Sequence, residues 1–254
     1  MSNLLSKGFT LIEITIVLFI IGLMIAGLLG PLETQLEARD RAATIETMDQ
    51  IIEALYGYAI TNGRLPCPDN NGDGVEDAAA CGGTGFLPWV DLATPQGDAW
   101  GNRFSYRATS PRFTTIDTDG VCNGDTAGHF DLCASGDIDI QTRGDDAATN
   151  PAVETKATPN LATNVPAIVI SHGRNGFGAT STAGLLRPAP PATNIDELEN
   201  TNAGSVFMSR IFAKENAGCD DADETLSFCE YDDLVKWLSP ALLNNRMVVA
   251  GQLP

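Results

Sequence analysis

From Phe9 to Leu29 the chain reads FTLIEITIVLFIIGLMIAGLL, with Glu13 as its one ionisable residue. About 21 residues at roughly 1.5 Å each cover a hydrocarbon core of ~30 Å as a single helix. The run is longer than the ~7 to 15 apolar residues of a secretory signal peptide, so it reads as a retained segment. Lys7 and the initial amine are the positive charges ahead of it, and acids dominate behind it. That asymmetry predicts one inner-membrane span, with Met1 cytoplasmic and the rest exoplasmic. A charge inside such a span costs ~2.5 to 3.5 kcal/mol on insertion scales, which makes Glu13 a candidate functional residue.

The periodicity carries on past the apolar run. Leu32, Leu36, Ile45, Met48, Ile52, Leu55 and Ala59 recur at three- and four-residue steps with Glu37, Asp40, Glu46, Asp49 and Glu53 between them. This spacing predicts an amphipathic continuation over 30–62. Gly30 and Pro31 predict a kink, because proline removes a backbone donor and clashes with the preceding turn. Asn62-Gly63 supplies a stop. The expectation is one helix of some 50 residues, roughly 75 to 80 Å long, whose second half needs a cover for its apolar stripe.

Beyond residue 62 about 190 residues remain, enough for one domain with its own core. Fifteen basic against 33 acidic residues give a formal charge of -18, which argues against nucleic acid, since phosphate binding runs on lysine and arginine. Six cysteines fall into neighbour pairs, Cys67 with Cys81, Cys122 with Cys133, and Cys219 with Cys229. Three local disulfides are the simplest expectation, resting on loop closure alone. Short β-prone runs at Phe104–Ala108, Phe113–Asp117, Ile138–Thr142, Val165–Ser171, Val206–Ala213 and Arg246–Ala250 are separated by turn residues. They predict an antiparallel sheet packed on the helix, an α+β fold with Gly144–Asn164 and Gly184–Asn202 as surface loops. Tyr231–Leu243 reads either as a strand and a short helix begun at Ser239-Pro240, or as two helices.

The string Lys7-Gly8-Phe9-Thr10-Leu11-Ile12-Glu13 before an apolar helix resembles the prepilin leader and methylation motif of type IV pilins and type II secretion pseudopilins. The resemblance implies cleavage after Gly8 by a prepilin peptidase, methylation of the Phe9 amine, and assembly through Glu13 with other pilin or pseudopilin subunits on an inner-membrane platform. Asp98-Ala99-Trp100-Gly101-Asn102-Arg103-Phe104 is similar to the Asp-Pro-Trp-Gly-Asn-Pro-Tyr element of pseudopilins, with Ala99 and Arg103 in place of the two prolines.

Asp69, Asn71, Asp73 and Asp77 place oxygen ligands at alternating positions around Gly72 and Gly74, a spacing that suits calcium, although Ala80 stands where a bidentate glutamate would close the set. The competing reading is an acidic turn clipped by Cys67 and Cys81. Asp117, Asp119, Asn123 and Asp125 form a poorer match. His129 near Cys122 and Cys133 admits zinc, but thiols outside the cell are more often disulfides. His172 with Gly173, Gly176 and Gly178 reads as a tight turn after a strand, because no helix follows to cradle phosphate. Trp89, Trp100 and Trp237 read as core or helix-covering residues. The expectation is a non-enzymatic filament subunit, a minor pilin or minor pseudopilin. A membrane-anchored, calcium-dependent binding module or sensor that never polymerises is the alternative. A hydrolase ranks third and would require a nucleophile and a base in one cleft.

Overall fold

The computed structural model describes residues 10–117, 122, 128–143, 158–214, 217–223 and 225–253, excluding the side chains of 25–33. The chain divides into two compact units, Met1–Ala42 and Ala43–Pro254.

The described part of the first unit is helical. Helix α1 is assigned over Leu11–Asn62 and runs through Gly30 and Pro31 without a break. Among the described residues no helix is long and apolar enough to cross a membrane. That finding overturns the expectation of a single-pass inner-membrane protein with a cytoplasmic N-terminus and an exoplasmic head.

In the second unit Met48, Leu55 and Ala59 of the predicted stripe are buried and Ile45 and Ile52 are partly buried, while Ile51 and Tyr56, outside that stripe, are buried beside them. The helix ends where the Gly63 N–H returns to the Ala59 carbonyl at 2.8 Å. Gly63 holds φ +70°, a left-handed C-terminal conformation that glycine adopts without steric cost. Strands β1 (Gly85–Phe86), β2 (Ser105–Ala108), β5 (Ala167–Ser171) and β7 (Leu234–Trp237) form an antiparallel sheet in the order β1-β2-β5-β7. A second sheet has the order β4-β3-β6, with β3 (Ile138–Gln141) antiparallel to β4 (Asn160–Val165) and parallel to β6 (Val206–Met208).

Alternation in β5 explains the layering. Ala167 and Val169 join the cluster of Met48, Leu55, Tyr106 and Leu234 against α1. Ile168 and Ile170 join Ile138, Ile140, Val165 and Phe207 of the second sheet. A strand buried on both faces reads as a continuous apolar run, as AIVIS does. The result is helix, sheet, sheet. Short helices α2 (Trp89–Leu92), α3 (Ile195–Thr201) and α4 (Pro240–Val249) and a 3-10 turn at Ala78–Ala80 complete the described elements.

Three disulfides close Cys67–Cys81, Cys122–Cys133 and Cys219–Cys229, as expected from their spacing. Two predicted strands are absent. Phe113 sits in a turn in which its N–H bonds the Thr109 carbonyl, because Pro111 removes a ladder donor and presets turn geometry. Residues 246–249 belong to α4, whose four-residue spacing buries Leu243 and Met247 together. The expected loop Gly184–Asn202 holds α3, and residues 160–164 of the other expected loop belong to β4. Residues 144–157 lie outside the described set.

Candidate functional site

Gly8 and Phe9 lie outside the described residues. Glu13 falls in the first turn of α1, and its N–H reaches Thr10 Oγ1 at 3.3 Å. Thr10 thus acts as the N-cap of a Thr-x-x-Glu pattern, satisfying a donor that the helix start leaves open. A carboxylate in this position is favoured by the helix dipole. Around it Leu11, Ile12, Ile14, Ile16, Val17, Leu18, Phe19, Ile20, Ile21, Leu23 and Met24 are 46% to 83% exposed. From Leu11 to Met24 the helix is exposed and largely apolar on every side, a pattern that calls for burial against something else.

The acidic loop is built from its own backbone. Asp69 is buried, and its Oδ1 accepts the Asn71 and Gly72 N–H groups while Oδ2 accepts that of Gly74. Asn71 Oδ1 takes the Asp73 N–H and Asp73 Oδ1 takes the Val75 N–H, each at 2.9 Å. Asp77 accepts from Asn70 N and Asn71 Nδ2. Gly72 and Gly74 hold φ +85° and +92°, and a Cβ on Gly74 would meet Trp89 at 2.5 Å. The four expected calcium ligands therefore share one loop, with Asp69 engaged at both oxygens and the other three each engaged by loop donors. Glu76 anchors the loop: it accepts from Arg64, from Tyr58 Oη at 2.8 Å and from Cys67 N at 2.8 Å. Burial pushes the Glu76 carboxyl up, but these three donors together outweigh it and hold it below the usual carboxylate range.

Asp98 closes a turn. Its Oδ1 accepts from Trp100 N and Asn102 N, and its Oδ2 accepts from Ser171 Oγ at 2.7 Å. The Ala99 N–H bonds Thr44 Oγ1 of α1, and the buried Asn102 donates to the Gly173 carbonyl. The turn ties α1 to the end of β5. Of the three tryptophans, Trp100 packs on the helix-side core, Trp237 on the second cluster, and Trp89 lies beneath the Arg103 guanidinium, 5.2 Å from its ring centroid. His129 Nε2 stands 3.3 Å from Asp117 Oδ1, while Cys122 and Cys133 are joined to each other.

The structure assembles one constellation that spacing alone did not reveal. Ser105 on β2 and His172 just after β5 meet across the sheet, Oγ to Nε2 at 2.9 Å. The other ring nitrogen lies 3.6 Å from Asp233 Oδ1, longer than a hydrogen bond and within ion-pair range. His172 and Asp233 are 2% and 3% exposed. Asn200 donates to the remaining Asp233 oxygen at 2.8 Å. Glu197 and Asp232 stand beside Asp233, the three offering oxygens within 4.8 Å of one another. Burial, then the charge of Asp233, pushes Glu197 up to about 9. Burial also pushes Asp232 up to about 7. Asn175 and Asn194 donate to Glu197. A cavity of about 290 Å³ is lined by Ser105, His172, Thr84, Phe86, Thr180 and Asn200 among others, and by none of the three carboxylate residues Glu197, Asp232 and Asp233. The signals in the sequence were a polar Ser-His-Gly step ending an apolar strand and the Asp232-Asp233 pair before β7, but nothing local paired them. No protein-family model, curated protein or solved structure matches the chain.

Proposed function

We propose that the chain is a pilin-like structural subunit, of the minor type, that joins a helical filament through α1 after residues 1–8 are removed. The observation that carries this reading is the exposed belt from Leu11 to Met24, eleven large apolar side chains on one helix. At ~1.5 to 3 kcal/mol per fully buried side chain, covering this partly exposed belt would be worth on the order of 10 to 20 kcal/mol, against an association cost of ~4 to 15 kcal/mol. Copies of the same helix are a fitting cover.

Glu13 gives the assembly its register. In a packed bundle its carboxylate would be desolvated, and the Phe9 amine of an adjoining subunit offsets that cost by ion pairing. The Lys7-to-Glu13 string supports both the processing site and the pairing. The length of the chain, 254 residues, favours a minor position over that of the bulk subunit.

The test is to express Glu13→Ala and Glu13→Gln with the matching prepilin peptidase and filament partners. Both variants should be cleaved after Gly8 and should form all three disulfides, yet be recovered in purified filaments at under a tenth of the wild-type amount. Wild-type recovery of Glu13→Ala would remove the registering role. An intact mass that retains Met1 would remove the filament reading.

A further inference from the structure

We propose that Ser105, His172 and Asp233 form a second, chemically active site in this molecule, a serine nucleophile for acyl transfer from small carboxylic esters. The three side chains stand in the order that nucleophilic catalysis requires. A hydroxyl lies within hydrogen-bond reach of one imidazole nitrogen, at 2.9 Å, and a buried carboxylate faces the other at 3.6 Å. Such a constellation is recognised by geometry and roles rather than by chain order. Here it comes from three separate segments, β2, the turn after β5, and the residue before β7.

Each role follows from position. Asp233 is fixed by Asn200 and favours a proton on His172 Nδ1, which leaves Nε2 as the acceptor for the Ser105 proton. Ser105 and His172 both line the ~290 Å³ cavity, while Asp233 is buried behind them. Thr84 lines the same cavity, and its Oγ1 is buried without a hydrogen-bond partner. A buried hydroxyl is left unpaired only at a cost. We assign it as the donor to the substrate carbonyl oxygen.

The cavity also sets the substrate class. Its volume holds a small acyl group rather than a polypeptide, and no lysine or arginine lines it while the carboxylate residue Asp69 does, so an anionic substrate is disfavoured there. An uncharged ester with a short acyl chain fits. Ser105 Oγ bonds to the carbonyl carbon as its proton passes to His172 Nε2. The carbon–oxygen ester bond breaks, and the leaving alkoxide takes that proton as an alcohol. Water then attacks the acyl-serine, gives its proton to Nε2, and releases the carboxylic acid and the Ser105 hydroxyl.

The experiment treats the full chain, disulfides intact, with a fluorophosphonate probe and, separately, with p-nitrophenyl acetate. A single phosphonyl adduct mapped to the peptide carrying Ser105 is expected, with ester turnover above the buffer rate. Ser105→Ala should lose both signals. His172→Gln should slow labelling by about 10² to 10⁴-fold, the usual contribution of a general base. Absence of an adduct on folded wild-type protein overturns the proposal, whatever the variants do. So does an adduct elsewhere, or labelling that Ser105→Ala leaves unchanged. These readouts do not depend on filament formation.

Discussion

Glu76 concentrates more structure than any other carboxylate of the acidic loop, since Arg64, Tyr58 and the Cys67 N–H all converge on it. Its replacement by alanine should cost about 2 kcal/mol, because three donors lose their acceptor in a half-buried place. A melt should report this as a fall of roughly 4 to 8 °C in Tm. The effect on Tyr58 follows from the same contact. Burial first, and the Glu76 hydrogen bond second, push the phenol up to about 12, so the variant should titrate Tyr58 closer to ordinary tyrosine in an ultraviolet pH scan. Calcium is a separate question for Asp69, Asn71, Asp73 and Asp77. With Asp69 fully engaged by backbone donors, the loop has few oxygens left for an ion that wants six to eight. Binding in the millimolar range is expected. Raising calcium from a chelated baseline to ~5 mM should then lift Tm by about 2 to 4 °C through ligand linkage.

At the scale of elements, α3 carries the strongest pH dependence. Asn194 caps it, accepting the Glu197 N–H and donating to Glu197 Oε2, so the first turn delivers a carboxyl into the space beside Asp232 and Asp233. Glu197 and Asp232 are held protonated above their ordinary range, near 9 and near 7. A raised carboxyl favours the fold where it stays protonated. Its contribution is complete below the unfolded value near 4 and is lost as pH climbs through the folded value. Glu76, held low, works the other way and fails on acidification. Stability should therefore peak near pH 5 and decline toward pH 9 by about 2 kcal/mol or more, seen as a falling Tm between those limits. Glu197→Gln should flatten that decline.

These elements also show where a sequence is legible and where it is not. The buried face of α1 could be read from Met48, Leu55 and Ala59 because a helix buries residues by local spacing. The disulfides could be read because each closes a short loop. The second sheet could not, because the parallel pairing of β3 with β6 joins segments more than 60 residues apart with no local mark. Arg246–Ala250 looked like a strand from its β-branched valines, and the need to bury Leu243 and Met247 together overrode that preference. Ser105 and His172 failed for the same reason as the second sheet. Their meeting depends on the β2–β5 register, which sets Ser105 opposite Ile170, two residues before His172.

For the whole molecule, the division at Ala42 and Ala43 predicts independence. A chain begun at Ala43 keeps Met48, Ile51, Leu55 and Ala59 for the core and loses the belt from Leu11 to Met24. It should fold with all three disulfides, melt within about 3 °C of the full chain, and run as a monomer by light scattering. Oligomers of equal size from both forms would place the self-association elsewhere.

The disulfides carry a consequence for how this molecule comes apart. They bridge 14, 11 and 10 positions along the chain, and none ties one layer to another. Covalently the protein is a linear string with three small eyelets, and no disulfide joins its helix and two sheets, which are held by packing and by hydrogen bonds such as that from Lys236 to Asp49. A protease that cuts once inside an eyelet leaves a product that still runs at full length on a non-reducing gel and separates in two only when thiol is added. A cut anywhere between eyelets releases two pieces at once on denaturation. Comparing the two gels after limited digestion would map exposed sites to eyelets or to the strings between them, with no need to sequence a fragment.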